Sequence, residues 1–164
     1  MKDMMPEDII GEYREASISL YDGTCRKVYL TDVETPFPDG SLIVSRTDVS
    51  GIITHVNKSF IRMSGYAKKE LLGQPHCILR HPDMPAAAFK ELWDTIRAGK
   101  KWQGYVKNLR KDGGFYWVFA TAIANVRSGK VVGYTSVRRK PSRTKVTECS
   151  ELYTKLVRKE SPAV

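Results

Sequence analysis

The sequence predicts an α+β domain in which a five-stranded antiparallel sheet carries short helices on one face. Three features of the 164-residue chain lead to this fold: two short β-type runs, an amphipathic helix after them, and three further β-type runs. A chain of this length that is 41% hydrophobic can bury a core that needs neither disulfides nor a structural metal. We therefore expect one domain rather than two.

The first two strands are predicted within residues 42–56, where two β-rich runs flank a turn at residues 48–51. Asn57 stands directly after them, at a position where its side chain can cap a short helix. Gly65 ends that helix, and a second short helix precedes Gly73.

The clearest helix is predicted over residues 85–98. Its apolar side chains recur at i, i+3, i+4 and i+7 and form one face: Phe89, Leu92, Trp93 and Ile96. After Gly99 the period changes, and three β-type runs at residues 102–109, 115–126 and 131–138 are joined by Gly-containing turns. These runs predict an antiparallel meander.

Composition divides the chain into an N-terminal extension (1–40), a central domain (41–140) and a C-terminal tail (141–164) that is expected to be helical over residues 147–159. Residues 1–40 hold 4 basic and 9 acidic side chains, whereas the whole chain has a net charge of +9. This polarity predicts that the acidic extension caps the domain or meets the basic surface of a second copy, as in a homodimer.

Several functional classes find no support in the sequence. No signal peptide or membrane-length apolar segment is present, so we expect a cytoplasmic protein without direct membrane insertion. The three cysteines form no metal-binding or redox pair, and no catalytic or phosphate-binding motif occurs, which argues against an enzyme. The basic charge comes with no nucleic-acid-binding signature, so we expect no nucleic acid as partner.

The residues best suited to hold a ligand are concentrated between His76 and Asn108. Two histidines, Arg80 and Asp83 lie close to the predicted start of the long helix. Such a group can bind an anion or the polar edge of a cofactor.

These residues also carry a resemblance. The motifs NxxF at residues 57–60, SGY at 64–66 and EL at 70–71 resemble the signature of PAS sensory domains. The string RHPDMP at residues 80–85 resembles the flavin-binding PAS domain of bacterial aerotaxis receptors, and the other matches, Trp93 among them, are shared more widely among PAS domains. The similarity covers about residues 41–157.

The resemblance implies that FAD lies without a covalent bond between the sheet and the helices. Its redox state would then report oxygen or electron-transport status to a signalling partner of the chemoreceptor or kinase type. Trp93 is expected to stack on the isoalloxazine ring or else to belong to the core. Asn108 is expected to contact the ring edge, where N5 changes from acceptor to donor on reduction.

The remaining site residues have two interpretations each. Arg80 or His81 is expected on the FAD pyrophosphate and Asp83 on a hydroxyl, or Asp83 only caps the helix and Arg80 is a surface charge. Asn57 faces the ligand or caps its helix, and capping is favoured. Trp102 shields the cofactor or fills the core.

Alternatives to FAD sensing remain open at this point. The first is haem held by His76 or His81, and the second is a cofactor-free interaction or dimerisation module. A light-driven cysteine adduct of the LOV type is disfavoured, because Cys77 lies four residues after Gly73 instead of three and its neighbours differ. Aerotaxis receptors continue into a membrane anchor and a signalling domain, so we expect this chain to be a fragment or to signal by docking.

Overall fold

The computed structural model describes residues 1–20 and 23–160. Within this part of the chain the strands are β1 (Arg14–Ser19), β2 (Cys25–Leu30), β3 (Ile43–Thr47), β4 (Ile53–Val56), β5 (Trp102–Leu109), β6 (Phe115–Arg127) and β7 (Lys130–Arg139). The α-helices are α1 (Lys58–Ser64), α2 (Lys68–Leu71), α3 (Ala86–Arg97) and α4 (Arg143–Glu160). Short 3₁₀ turns lie at Pro6–Asp8 and His76–Leu79.

The main sheet has the order β4-β3-β7-β6-β5, and all its neighbouring strands are antiparallel. The predicted α+β class and its five-stranded antiparallel sheet are confirmed. Two β-type runs before the helices and three after them meet in one sheet because β3 pairs with β7. This pairing places the ends of the domain side by side in the middle of the sheet.

One face of the main sheet packs against the helices and contains the principal core. Alternate side chains of β6, at positions 116, 118, 120 and 122, are buried on this face. The strand register sets Asn108 of β5 directly opposite Tyr116 and Val106 opposite Val118. Asn108 therefore lies on the inner face, among core side chains.

The N-terminal extension forms a hairpin of β1 and β2, which the sequence analysis did not predict. Its apolar side chains make a second core cluster together with Leu109 of β5. Arg26 of this hairpin is buried and donates hydrogen bonds to the Ile78 carbonyl oxygen at 2.6 Å and to the Tyr66 hydroxyl at 3.2 Å. The hairpin is thus fixed to the 3₁₀ turn at His76–Leu79.

The C-terminal helix α4 lies against the outer face of β5 and β6. The Tyr153 ring stacks on Trp117 with 6.3 Å between centroids, and its hydroxyl donates to the Tyr105 carbonyl oxygen at 2.7 Å. Residues 161–164 of the predicted tail lie outside the described residues. No helix within residues 1–20 and 23–160 is both long and apolar enough to cross a membrane.

Candidate functional site

A cavity of about 470 Å³ lies between the inner face of the main sheet and α3. Cofactor and ligand sites in proteins commonly have volumes in this range and mostly apolar walls. Apolar atoms form most of the cavity surface. The large and small apolar side chains that line it include Leu79, Phe89, Leu92, Trp93, Ile96, Val106, Ala120, Ala122 and Tyr134. The small alanines of β6 leave room above the sheet where larger side chains would fill it.

Trp93 forms one end of the apolar wall. It projects from α3, and its ring meets Tyr134 of β7 edge to face at 5.4 Å between centroids. The Arg97 guanidinium lies 5.2 Å from the centre of the indole. The turn at Gly51 packs so closely that a β-carbon there would lie 3.1 Å from the Trp93 ring. The indole is therefore held on several sides while it borders the cavity.

Asn108 brings an unpaired amide to the cavity. Its side chain lines the cavity and is only 5% exposed. Its amide nitrogen makes no hydrogen bond of good geometry among the described residues, although it lies near enough to the Tyr116 hydroxyl to lower the pKa of that group. A buried polar group without a partner costs roughly 1–3 kcal/mol, so a ligand with an acceptor would be stabilised here.

Arg80 borders the same part of the cavity. Its backbone forms an isolated antiparallel bridge with Asn108, which links the end of the 3₁₀ turn to β5. The Arg80 guanidinium lies 5.0 Å from the centre of the Phe89 ring. Arg80 and Asn108 thus form one polar side of a largely apolar cavity.

Arg138 lies on the inner face of β7 and also lines the cavity. It is 4% exposed. One terminal nitrogen, Nη2, lies 2.6 Å from Nε2 of His76 and 3.1 Å from the Ser45 hydroxyl. The other terminal nitrogen, Nη1, has no hydrogen-bond partner among the described residues.

Burial fixes the charges of this pair. The pKa of His76 is lowered to about 3, chiefly by burial and further by the charge of Arg138, so the ring is neutral. Nε2 of His76 then accepts the hydrogen bond from Arg138, and its proton lies on Nδ1. Burial also lowers the pKa of Arg138 to about 10, which leaves it charged at neutral pH.

Tyr116 lies close to both polar groups of the inner face. Burial raises the pKa of its hydroxyl to about 12, and Arg138 and the Asn108 amide act in the opposite direction. The phenol is therefore neutral at physiological pH. Asn108 of β5 and Arg138 of β7 line the cavity, whereas Tyr116 of β6 is fully buried in the core beside them.

His81 and Asp83 do not line the cavity. The His81 ring is buried against Phe115 at 6.1 Å between centroids, and its Nδ1 accepts from the Asp83 backbone N–H at 3.1 Å. Burial is the main reason that the pKa of His81 is lowered to about 3. The Asp83 carboxylate accepts from Lys107 at 2.7 Å. Both residues connect the start of α3 to β5.

Asn57 and Trp102 also lie away from the cavity. The Asn57 side chain accepts from the Phe60 backbone N–H at 3.0 Å and so caps α1. Its amide also donates to the Leu42 carbonyl oxygen at 2.9 Å, which ties the cap to the segment before β3. Trp102 is a buried member of the core.

Of the residues predicted to bind the cofactor, the structure brings Arg80, Trp93 and Asn108 together around the cavity. His76, considered in the sequence as a haem ligand, lies there as well. Arg138 was missed because an arginine that is followed directly by Arg139 and Lys140 is typical of an exposed basic segment. Side chains alternate between the two faces of β7, and Arg138 is two residues beyond Ser136 and four beyond Tyr134, both of which line the cavity. This spacing could have predicted that Arg138 points inward.

Comparison with known proteins decides the family. The family model for the PAS fold matches residues 53–138, which include three strands of the cavity wall and α3. The chain is a member of the PAS family. The predicted resemblance to PAS domains is thereby confirmed.

The PAS domain is similar in sequence to known bacterial proteins. It is 46% identical over 125 residues to the aerotaxis receptor of Escherichia coli, a match that covers 76% of this chain and 25% of the receptor. It is 32% identical over 104 residues to the biofilm dispersion protein of Pseudomonas aeruginosa, which covers 60% of this chain and 25% of that protein. The chain thus spans about a quarter of the length of these two relatives.

Solved structures share the fold. The LOV domain of the blue-light photoreceptor Aureochrome1 in its light state superposes with a TM-score of 0.58 at 24% identity, over 72% of this PAS domain chain and 90% of the LOV chain. A LOV domain studied with a flavin analogue gives a TM-score of 0.56 at 25% identity, over 73% and 87% of the two chains.

Proposed function

We propose that this PAS domain binds a flavin, FAD, in the cavity between sheet and α3 and acts as a redox sensor. The proposal rests on a largely apolar cavity whose unpaired buried polar atoms include the Asn108 amide nitrogen and Nη1 of Arg138. A flavin ring has flat apolar faces and a row of nitrogen and oxygen atoms along one edge. The cavity offers the same division between apolar walls and polar groups.

The residues of the cavity would hold the ring as follows. Trp93, already supported by Tyr134 and Arg97, would contact a ring face or edge. Asn108 would donate to an acceptor at the ring edge from its unpaired amide nitrogen. When bound, the flavin supplies reversible electron transfer, and an amide can follow it because it holds both a donor and an acceptor.

We infer FAD because the RHPDMP string resembles the flavin-binding domain of aerotaxis receptors, and we assign its phosphates to Arg80, which lines the cavity. His81 and Asp83 are engaged with Phe115 and Lys107 instead. We therefore assign them to positioning the start of α3. Asn57 and Trp102 are assigned to capping and to the core for the same reason.

Helix α3 connects the cavity to the C-terminal helix α4. The helix α3 carries Trp93 at the cavity, and its first backbone N–H groups, of Ala86 and Ala87, donate to the Glu160 carboxylate of α4. A redox-dependent shift of α3 would therefore be felt by α4. We propose that α4 or the N-terminal hairpin passes this change to a chemoreceptor or kinase partner, and that the domain has no catalytic role.

The geometry favours flavin over haem. An axial histidine needs a free ring nitrogen that faces the cavity. Nε2 of His76 instead accepts a hydrogen bond from Arg138 at 2.6 Å, and a cation at that distance opposes a metal ion. His81 does not line the cavity at all. A homodimer stays a prediction, which light scattering at low and high salt would test.

The proposal is tested by the visible absorption spectrum of the purified protein before and after dithionite, with chromatography of the released chromophore. We expect a yellow protein with the two bands of an oxidised flavin, loss of the visible bands on reduction, and release of FAD. Release of FMN would correct the identity of the cofactor. A Soret band, or a colourless protein that takes up no added flavin, would overturn the proposal.

A further inference from the structure

Arg138 is a buried cation without a counter-charge. It makes no ion pair with any aspartate or glutamate among the described residues, and its hydrogen-bond partners, His76 and Ser45, are both neutral. The Phe60 ring, 5.3 Å from the guanidinium, contributes only a weak cation–π attraction. Arg26, the other buried arginine of the described chain, is likewise paired only with neutral groups, but it lies away from the cavity.

A charge taken out of water costs several kcal/mol unless an opposite charge or a full set of hydrogen bonds replaces its hydration. Arg138 has an incomplete set, because Nη1 is unpaired and the side chain lines the cavity. His76 and Ser45 hold the guanidinium in place through contacts with its Nη2 atom. The guanidinium is therefore held in place beside the cavity, and its Nη1 atom has no hydrogen-bond partner among the described residues.

We propose that Arg138 sets the charge preference of the site, so that the cavity binds a ring carrying negative charge more tightly than the same ring when neutral. This inference rests on the proposed function. For a flavin, two electrons and one proton convert the neutral oxidised ring into an anion, with the charge near N1 and the C2 carbonyl oxygen. Arg138 would stabilise this anion and so raise the reduction potential of the bound cofactor.

The test is a reductive titration of the flavin-loaded protein with dithionite as electron donor and a redox dye as reference. Arg138→Gln is expected to reduce the preference for reduced over oxidised flavin at least tenfold. For a two-electron couple, each tenfold change corresponds to a midpoint about 30 mV more negative. Arg138→Lys keeps the charge and is expected to retain most of the wild-type midpoint.

The matched control is Arg139→Gln. Arg139 is the next residue of β7, and it is exposed and does not line the cavity. The same charge is removed, but from the opposite face of the strand, so the midpoint should stay at the wild-type value.

Ser45→Asp tests the same role of Arg138 if Arg138→Gln does not fold. It places a carboxylate beside the guanidinium and should shift the midpoint in the same direction as Arg138→Gln. If Arg138→Gln and Ser45→Asp both bind flavin with the same midpoint potential as Arg139→Gln, the proposed role of Arg138 is wrong. The proposed flavin site would be unaffected by that result. A wild-type protein that binds no flavin would overturn both.

Discussion

The Arg26 guanidinium donates a 2.6 Å hydrogen bond to the backbone carbonyl oxygen of Ile78. Arg26 lies in the N-terminal hairpin, and Ile78 lies in the 3₁₀ turn whose first residue, His76, contacts Arg138 in the cavity. The extension is therefore connected to the cavity wall through one turn of backbone. Arg26 is also buried, at 3% exposure, so this contact is part of the folded domain rather than a loose surface pair.

We expect Arg26→Ala to lower the free energy of unfolding by about 2–4 kcal/mol, because hydrogen bonds from a charged donor contribute roughly 1.5–3 kcal/mol each and a cavity is left behind. Urea unfolding followed by circular dichroism measures the change. Arg14→Ala, in the same hairpin, removes only an exposed 3.8 Å ion pair with Asp83 and should cost less than about 1 kcal/mol. Equal effects of the two substitutions would show that the Ile78 contact contributes little.

Asn108→Ala is expected to weaken flavin binding about 10- to 100-fold, since a hydrogen bond of 1–3 kcal/mol corresponds to that range of dissociation constants. Fluorescence titration of the apoprotein with FAD measures the affinity. Gln103→Ala provides the control on the same strand, because Gln103 is exposed and contacts Thr121 of β6 at 3.2 Å. Unchanged affinity in Asn108→Ala would remove Asn108 from the site.

Much of the fold could be predicted because hydrophobic period and turn residues report local structure directly. The meander strands and α3 lie within two residues of their predicted ends. The β1–β2 hairpin was missed because its charged residues obscure the alternation of apolar and polar side chains. In the sequence Arg26 is typical of an exposed charge, but it is buried through contacts with Tyr66 and Ile78, which are distant along the chain.

The site was predictable where a residue type contradicts its surroundings. An amide in a β-strand, as at Asn108, is such a case, whereas Trp93 on an apolar helix face was singled out only by the resemblance to aerotaxis receptors. Both residues line the cavity. His81 could not be distinguished from a ligand residue, because its burial against Phe115 depends on where β6 lies. The inward position of Arg138 can be predicted only when it is known which face of β7 points toward the helices. The pairing of β7 with β3 and β6 sets that face.

Stability should fall as the medium becomes mildly acidic. The folded protein holds His76 and His81 neutral, each with a pKa lowered to about 3 from 6.5, chiefly by burial. The unfolded chain protonates both histidines below pH 6.5, whereas the folded protein does not. The stability that depends on these two neutral rings is therefore fully present above pH 6.5 and is lost as the pH falls toward 3. Each histidine lowers the free energy of unfolding by up to about 1.4 kcal/mol per pH unit in this window.

Chemical denaturation of the flavin-free protein at several values between pH 6.5 and 5 checks this dependence, above the range in which carboxylates titrate. His81→Gln should make the pH profile roughly half as steep. His55→Gln serves as the control, since His55 is exposed and lies outside the cavity. A profile as steep in His81→Gln as in the wild type would contradict the assignment of His81 as a buried neutral ring.

If the flavin occupies the cavity between the sheet and α3, a side chain that fills this space must exclude it. Ala122 is 5% exposed and lines the cavity, so Ala122→Phe would place a ring where the cofactor is proposed to lie. Ile123→Phe adds bulk at the next residue of β6, which is 43% exposed and does not line the cavity. The measurement is the molar ratio of flavin to protein after saturation with FAD and gel filtration, with folding checked by circular dichroism. We expect a ratio near that of the wild type for Ile123→Phe and near zero for a folded Ala122→Phe. Full flavin occupancy in Ala122→Phe would show that the flavin does not lie in this cavity.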